Sequence, residues 1–155
     1  MIPARLFALS LAAFLVALAG CGSSPKTVTK AQYQAQLSKS GRAITIAGQQ
    51  LGKVITIAEF NGAVSDLQKA LRDGEKTLNG LEPPANARAA NKKLAKAFGD
   101  LADALEKVKE ARRVSIVKAR QALGELGKTD AIKQGRAAIQ ELNKLGYSAS
   151  GATAP

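Results

Sequence analysis

The amino-acid sequence predicts an all-α protein, and three observations point to this class. Alanine, leucine and lysine dominate the composition, whereas aromatic residues make up only 4% and tryptophan is absent. Apolar residues recur at spacings of three, four and seven, the period of one helix face. The 155 residues suffice for one domain. We therefore expect an antiparallel four-helix bundle whose third helix is bent or split, so that five segments can be counted.

The chain begins with a leader that has the layout of a secretory signal peptide. A single cation, Arg5, precedes an apolar run over residues 6–19, and small residues follow before the cysteine. The segment Leu18-Ala19-Gly20-Cys21 resembles a bacterial lipobox. The resemblance implies that a peptidase recognises Leu18, Ala19 and Gly20, removes residues 1–20, and leaves Cys21 carrying a diacylglyceryl lipid.

An uncleaved membrane anchor and a plain secretory leader are the alternatives to a lipoprotein. The apolar run would reach only about 21 Å as a helix, less than the hydrocarbon core of about 30 Å. The chain has one cysteine, so an intramolecular disulfide or a cysteine metal cage is excluded. Because two or three acyl chains hold a protein firmly, we expect Cys21 to anchor it to the outer face of the bacterial cell membrane. Gly22 replaces the aspartate that often retains lipoproteins at the inner membrane, so an outer membrane stays open for a diderm host.

Residues 21–28 form the predicted stalk, and residues 29–146 form the helical body. Small and polar residues dominate the stalk, which is typical of a flexible linker. Thr29 and Gln32 have the spacing of a capping box, with Val28 and Tyr33 placed as its hydrophobic staple. The first helix then carries one narrow apolar stripe of Tyr33, Leu37, Ile44, Leu51 and Ile55.

A β-hairpin competes with this helix over residues 44–58. The segment Ile44-Thr45-Ile46-Ala47 is nearly repeated as Ile55-Thr56-Ile57-Ala58, and β-branched residues alternate in both. The helix is favoured because the repeat of 11 residues also equals three helical turns. The glycines within it are expected to allow close helix approach; they are Gly41, Gly48 and Gly52.

The second helix is predicted to follow a connection at Phe60-Asn61-Gly62, with a cap from Ser65 and Gln68. Its apolar stripe consists of Leu67, Leu71, Leu78 and Leu81, and Gly74 occupies the missing position. Gly80 and the pair Pro83-Pro84 are expected to end it. Pro84 also suits the first turn of the third helix, where its missing N–H costs nothing.

The third helix has the clearest pattern, with an apolar stripe of Leu94, Phe98, Leu101, Leu105 and Val108. We expect the lone aromatic residues Tyr33 and Phe98 to be packing residues. The next stripe position is Arg112, and a buried arginine is costly, so a break is predicted between Arg112 and Ser115. The apolar residues from Ile116 to Leu126 resume in phase, which leaves a continuous helix as the alternative.

Thr129 can cap a last helix, which carries Ile132, Ile139, Leu142 and Leu145 and is expected to stop at Gly146. Residues 147–155 are predicted to form a disordered tail.

Positive charge is the most unusual property of the body. The chain has 23 basic and 12 acidic residues, and removal of Arg5 with the leader lowers the formal net charge from +11 to +10. Six cations gather around the predicted break: Lys107, Lys109, Arg112, Arg113, Lys118 and Arg120. They could be a solvated face, or a surface that binds anionic lipid or anionic envelope polymers.

The same residues argue against catalysis and nucleic-acid binding. The chain has no histidine, its only cysteine is assigned to the lipid, and no nucleophile, metal or phosphate-loop motif occurs. The one-turn carboxylate pairs, Asp100 with Asp103 and Glu106 with Glu110, lie on an exposed face among lysines. Few aromatic residues are present to stack on bases, so nucleic acid is disfavoured as a partner. We expect a noncatalytic interaction module without metal or cofactor, with an envelope protein as a further candidate partner.

Overall fold

The computed structural model describes residues 27–54 and 56–148, and this part of the chain contains helices and no β-strand. The α-helices are α1 (Lys30–Lys53), α2 (Ile57–Asn79), α3 (Arg88–Val114), α4 (Ile116–Leu126) and α5 (Asp130–Lys144). Only Ser115 separates α3 from α4, so the two also count as one bent helix. The predicted all-α class is confirmed, and the hairpin alternative at residues 44–58 is wrong.

Several predictions from the sequence fall on residues outside the described part. These are the signal peptide (residues 1–20), Cys21 and residues 22–26 of the stalk, Ile55 of the first apolar stripe, and residues 149–155 of the tail. They remain predictions.

Helix α1 begins where the sequence predicts. The Thr29 hydroxyl accepts a hydrogen bond from the Gln32 amide at 3.2 Å, and the Gln32 side chain accepts one from the Thr29 amide at 2.9 Å. The stripe residues Tyr33, Leu37 and Leu51 are buried, and Ile44 packs half-buried against the same core. The capping box therefore predicted the start of α1 correctly, and the helical period predicted which of its described residues face the core.

Helix α2 begins nine residues earlier than predicted, because its N-cap is Thr56 and not Ser65. Thr56 caps it, because its hydroxyl accepts from the Glu59 amide at 3.2 Å and Glu59 accepts from the Thr56 amide at 2.8 Å. Phe60, assigned to a connection, is buried in the core, and Ser65 lies inside the helix. The predicted connection and cap were wrong because Thr56 and Glu59 form a complete capping box just before the apolar pattern resumes.

The competing helix starts can be tested by two substitutions. Thr56→Ala should lower the free energy of unfolding by about 1 kcal/mol, because the Glu59 amide at the start of α2 loses the hydroxyl that caps it. Ser65→Ala should leave stability unchanged or slightly higher, because alanine favours an exposed helix interior. Urea denaturation measures both, and a larger loss for Ser65→Ala would contradict the observed start.

Helices α2 and α3 pack closely through a glycine that complements a ring. A Cβ atom on Gly74 would lie 3.0 Å from Phe98 Cδ2, so the gap in the leucine stripe is a socket for Phe98. Leu71 and Leu78 are buried on either side of Gly74. Helix α2 ends at Asn79 with Gly80 as its C-cap, as predicted, but Pro84 begins a 3₁₀ turn at Ala85–Ala87 rather than α3 itself.

The predicted break in the third helix is confirmed at Ser115. Its extended backbone (φ −165°, ψ 158°) ends α3, and its hydroxyl accepts from the Lys118 amide at 3.1 Å to start α4. Helix α4 packs against α3, and Ala119 is fully buried there. The continuous helix is therefore excluded, and the polar Arg112 side chain stands one turn before the break.

Helix α5 follows a short turn and ends at the predicted glycine. Thr129 is the N-cap residue, but its hydroxyl donates to the Leu126 carbonyl at 2.7 Å instead of capping α5. Gly146 has a φ of 76°, which terminates the helix in the left-handed conformation that glycine tolerates best. Tyr147 is 2% exposed, so the packed body continues past residue 146, where the sequence placed its end.

A buried polar cluster joins the helices at one end of the molecule. The Tyr33 hydroxyl donates to Asn91 Oδ1 at 3.0 Å, and Asn91 Nδ2 donates to the Leu78 carbonyl at 3.0 Å. The Tyr33 ring meets the Tyr147 ring edge to face at 5.3 Å between centroids, and the Tyr147 hydroxyl donates to Asn86 Oδ1 at 2.8 Å. We call Tyr33, Asn91 and Tyr147 the tyrosine cluster. It links α1, α2, α3 and the segment after α5.

The tyrosine cluster can be tested through stability. Tyr33→Phe should lower the free energy of unfolding by about 1–3 kcal/mol, because Asn91 Oδ1 would stay buried without its donor. Tyr147→Phe is the control and should cost less than about 1 kcal/mol, because Asn86 is exposed and water can replace the hydroxyl. Equal losses would contradict a special role for the Asn91 hydrogen bond.

The same residue generates a pH dependence. Burial, and secondarily the nearby Tyr147, raises the pKa of the Tyr33 hydroxyl above its ordinary value of 10.0. The unfolded chain then loses this proton at a lower pH than the folded chain, so stability falls as pH rises above about 10. Urea denaturation at about pH 8 and about pH 10.5 should show a smaller fall for Tyr33→Phe than for the natural protein.

Candidate functional site: an apolar cleft and a basic surface

An open cleft of about 440 Å³ lies between α1 and α5, and α2, α3 and α4 form the rest of its wall. Ten of its sixteen lining residues are large and apolar, and two are glycines. The apolar residues are Ile44, Leu67, Leu71, Phe98, Leu101, Leu105, Leu123, Leu126, Ile132 and Ile139. Helical interiors are normally close-packed, so an apolar space of this size is a candidate binding site.

The cleft exists because α1 and α5 pack against other helices more than against each other. Helix α3 packs extensively with α2, α4 and α5, and α1 packs with α2, but α1 and α5 do not pack extensively with each other. They approach through the tyrosine cluster, where Tyr33 meets Tyr147. Beyond this cluster the two helices become the walls of the cleft.

Glycine widens the cleft on the α1 side. A Cβ atom on Gly48, a lining residue, would have no heavy atom within 4 Å. The same holds for Gly52, one turn later on α1. The prediction that these two glycines allow close helix approach was therefore wrong, whereas Gly41 is buried. Sequence reasoning missed the cleft because a glycine in an apolar stripe looks the same whether it fills a socket, as Gly74 does, or borders a gap.

Polar side chains follow the α5 margin of the cleft. Arg136, Gln140 and Asn143 line it at spacings of four and three, which places them on one face of α5. Arg136 is the one charged lining residue, and within residues 27–54 and 56–148 it forms no ion pair. Among the described residues the lining contains no carboxylate and one cation, so this part of the chain combines apolar walls with a single positive charge.

The six predicted cations lie on either side of Ser115, on the last turns of α3 and along α4. Lys109 is engaged in the contact between α2 and α3, where it donates to Gln68 and to Glu106. The hydrogen bond from Gln68, helped by Lys109 and Arg113, lowers the pKa of Glu106. Lys109 is therefore less available to an outside anion than the sequence suggested.

The other five cations form no ion pair with the described part of the chain. Arg112 is half-buried, and its Nε is buried without a hydrogen-bond partner there. The remaining four are exposed: Lys107, Arg113, Lys118 and Arg120. Two valines that sequence reasoning did not single out, Val114 at 67% and Val117 at 71% exposure, lie among them. We call these four cations and two valines the joint surface.

Three of the four carboxylates that the sequence placed in one-turn pairs contact polar or cationic side chains. Asp100 pairs with Lys96 at 2.6 Å, Asp103 pairs with Arg72, and Glu106 receives its bonds from Gln68 and Lys109. None of them lines the cleft. Among the described residues there is also no group of histidine, cysteine, aspartate and glutamate that could hold a metal ion, and no helix long and apolar enough to cross a membrane.

Comparison with known proteins finds no matching family model, no matching curated protein and no matching solved structure. Function must therefore be argued from the cleft, the joint surface and the leader.

Proposed function

We propose that this protein is a lipid-anchored, noncatalytic binding module of the bacterial cell envelope that holds an apolar ligand in the cleft. The cleft of about 440 Å³ carries this proposal. Its volume falls within the roughly 300–1,000 Å³ typical of small-molecule sites, which are mostly apolar with a few polar groups. Seven of the ten large apolar side chains that border the cleft are only half-buried, and a ligand that covered them would remove their exposed surface from water.

The proposal treats the helices as an antiparallel four-helix bundle that stays open along one seam. Contacts between α2 and α3 support the antiparallel course, because Leu78 meets Asn91, Gly74 meets Phe98, and Gln68 donates to the Ala102 carbonyl. A closed bundle would bring α1 and α5 together along their length. Here the seam between them is the cleft.

The cleft is tested with the apolar fluorescent dye anilinonaphthalene sulfonate, on the chain from residue 21 to residue 155 with Cys21→Ser. Gly48→Leu should reduce dye binding at least about tenfold, because the new side chain enters the open space without a clash. Gly52→Leu is the matched control on the same helix and should bind the dye normally. Both variants should be at least as stable as the parent, because leucine favours a helix more than glycine does. Equal dye binding by all three proteins would contradict the cleft as the binding site.

The anchor part of the proposal depends on Cys21 and the lipobox resemblance. The last stalk residue, Val28, donates its amide to the Glu82 carbonyl at 2.9 Å, so the chain enters the body near the tyrosine cluster. Seven residues of extended chain reach at most about 25 Å, so a lipid on Cys21 would hold this end of the body close to a membrane surface. Localisation follows as exported and membrane-anchored, with an outer membrane as the location if the host is diderm.

Cys21→Ala should abolish incorporation of labelled fatty acid in bacterial cells that express the full chain, because the acylated thiol is lost. The variant should also remain as an unprocessed precursor on a denaturing gel. Ser23→Ala is a control that should be labelled normally. Persistent labelling of Cys21→Ala would refute the lipoprotein assignment.

A second candidate function is an electrostatic tether to anionic lipid or anionic wall polymers. The joint surface supports it, because four exposed cations without ion pairs in the described chain lie within eight residues of Ser115, next to two exposed valines in the sequence. Helix α3 is 27 residues long, so the joint surface lies about 40 Å from the start of α3 beside the tyrosine cluster. If α3 lay along a membrane, both the lipid and the joint surface could touch it. If α3 stood upright, the joint surface would face polymers away from the membrane.

Vesicle binding tests the tether with the same Cys21→Ser chain. Replacing Arg113, Lys118 and Arg120 by Gln should weaken binding to anionic vesicles by about 3 kcal/mol, roughly 100-fold, because each basic residue near such a surface contributes about 1 kcal/mol. The control replaces Lys53, Lys76 and Lys92, which are exposed elsewhere. An equal effect of both triple variants, or equal binding to neutral vesicles, would contradict a specific joint surface.

A further inference from the structure

We infer that the ligand of the cleft is a single-chain anionic amphiphile, with its alkyl chain along the cleft and its carboxylate or phosphate head at Arg136. This inference rests on the proposed binding function and names the ligand class. Three properties of the cleft lead to it: the chemistry of its walls, its length, and the charge at its margin.

The walls are suited to an alkyl chain. Nine of the ten large apolar lining residues are leucine or isoleucine, and Phe98 is the one aromatic side chain. Phe98 is itself seated on Gly74, so its ring is already packed against the protein. Aliphatic side chains match methylene groups without any directional requirement, so an alkyl chain can lie against these walls in many conformations.

The length of the cleft allows one chain. On α5 the lining runs from Ile132 to Asn143, about 16 Å of helix, and Arg136 lies about 6 Å from the Ile132 end of this stretch. A head at Arg136 therefore lies on the margin, and the alkyl chain covers the apolar walls that α2, α3 and α4 provide. The tyrosine cluster, where α1 and the segment after α5 meet, closes the seam beyond one end of this stretch.

Charge at the margin selects an anionic head. Arg136 is the only charged lining residue, it is exposed, and no carboxylate of the described chain pairs with it. A guanidinium binds carboxylate or phosphate through two parallel charge-assisted hydrogen bonds, whereas a hydroxyl head accepts a weaker bond and a trimethylammonium head accepts none. Gln140, one turn later on the same face, adds an amide that can donate to the same head. A second copy of this chain is a poorer occupant, because the site is a concave seam of about 440 Å³ between helices and not a flat face.

The experiment is titration calorimetry with alkyl probes of equal chain length, below their aggregation concentration, on the chain from residue 21 to residue 155 with Cys21→Ser. The probes are a 16-carbon carboxylate, the corresponding alkyl phosphate, the alcohol and the trimethylammonium. We expect the two anions to bind at least about tenfold more tightly than the alcohol, and the cation most weakly. The tighter of the two anions would show whether a free fatty acid or a lipid phosphate is the closer match.

Substitutions distinguish recognition of the anionic head group from binding of the alkyl chain. Arg136→Gln should weaken both anions about tenfold and leave the alcohol unchanged, whereas Lys144→Gln, an exposed cation of α5 outside the cleft, should change neither. Gly48→Leu should abolish binding of all the probes. Ile132→Gln, at a half-buried lining residue outside the core cluster, should weaken them all without affecting folding.

The outcomes distinguish the two proposals. If the alcohol binds as tightly as the anions and Arg136→Gln has no effect, the anionic head is refuted while the binding cleft stands. If no probe binds and Gly48→Leu does not change dye binding, the cleft itself is refuted as a ligand site. If light scattering shows that the chain is a dimer that Gly48→Leu dissociates, the cleft is an interface between copies, and the amphiphile inference is overturned.

Discussion

The hydrogen bonds of Asn91 are the constraint on which the rest of the helical body depends. Asn91 lies on α3, and its side-chain amide is buried. The amide oxygen accepts a hydrogen bond from the Tyr33 hydroxyl on α1, and the amide nitrogen donates one to the Leu78 carbonyl on α2. A buried polar group that loses its partner costs more than an exposed one, so the three helices can meet here in only one register. Tyr147, which follows α5, packs its ring edge to face against the Tyr33 ring and so fixes the end of α5. One end of the body is thereby closed.

The open seam and the closed end are two results of the same packing. Helix α3 is surrounded by α2, α4 and α5, and α1 reaches the body through α2 and the tyrosine cluster. Away from that cluster Gly48 of α1 borders the open space, because a Cβ atom on it would have no heavy atom within 4 Å. The cleft is apolar because the stripes that would have closed the bundle still face each other. A ligand with an alkyl chain would complete that packing, which is why we favour a binding role over a purely structural one.

Much of the local structure could be predicted from the sequence, and the errors have identifiable causes. The capping box at Thr29, the break before Ser115 and the stop at Gly146 each depend on a few neighbouring residues. The start of α2 was misplaced because the Phe60-Asn61-Gly62 segment resembles a turn, while Thr56 and Glu59 supply the stronger cap. Of the candidate sites, the cations around Ser115 were foreseen, but the pairing of Lys109 with Gln68 across two helices was not.

The sequence by itself determined the all-helical class, the basic charge and the position of the break, because helix period, caps and the cost of burying Arg112 act over a few residues. Only the tertiary structure decided that Gly74 is a socket for Phe98, that Gly48 borders an empty space, and that Tyr147 belongs to the core. These differences depend on what lies across from each residue on another helix. A period within one helix shows which side chains point inward, but it does not show whether the facing helix arrives close enough to meet them.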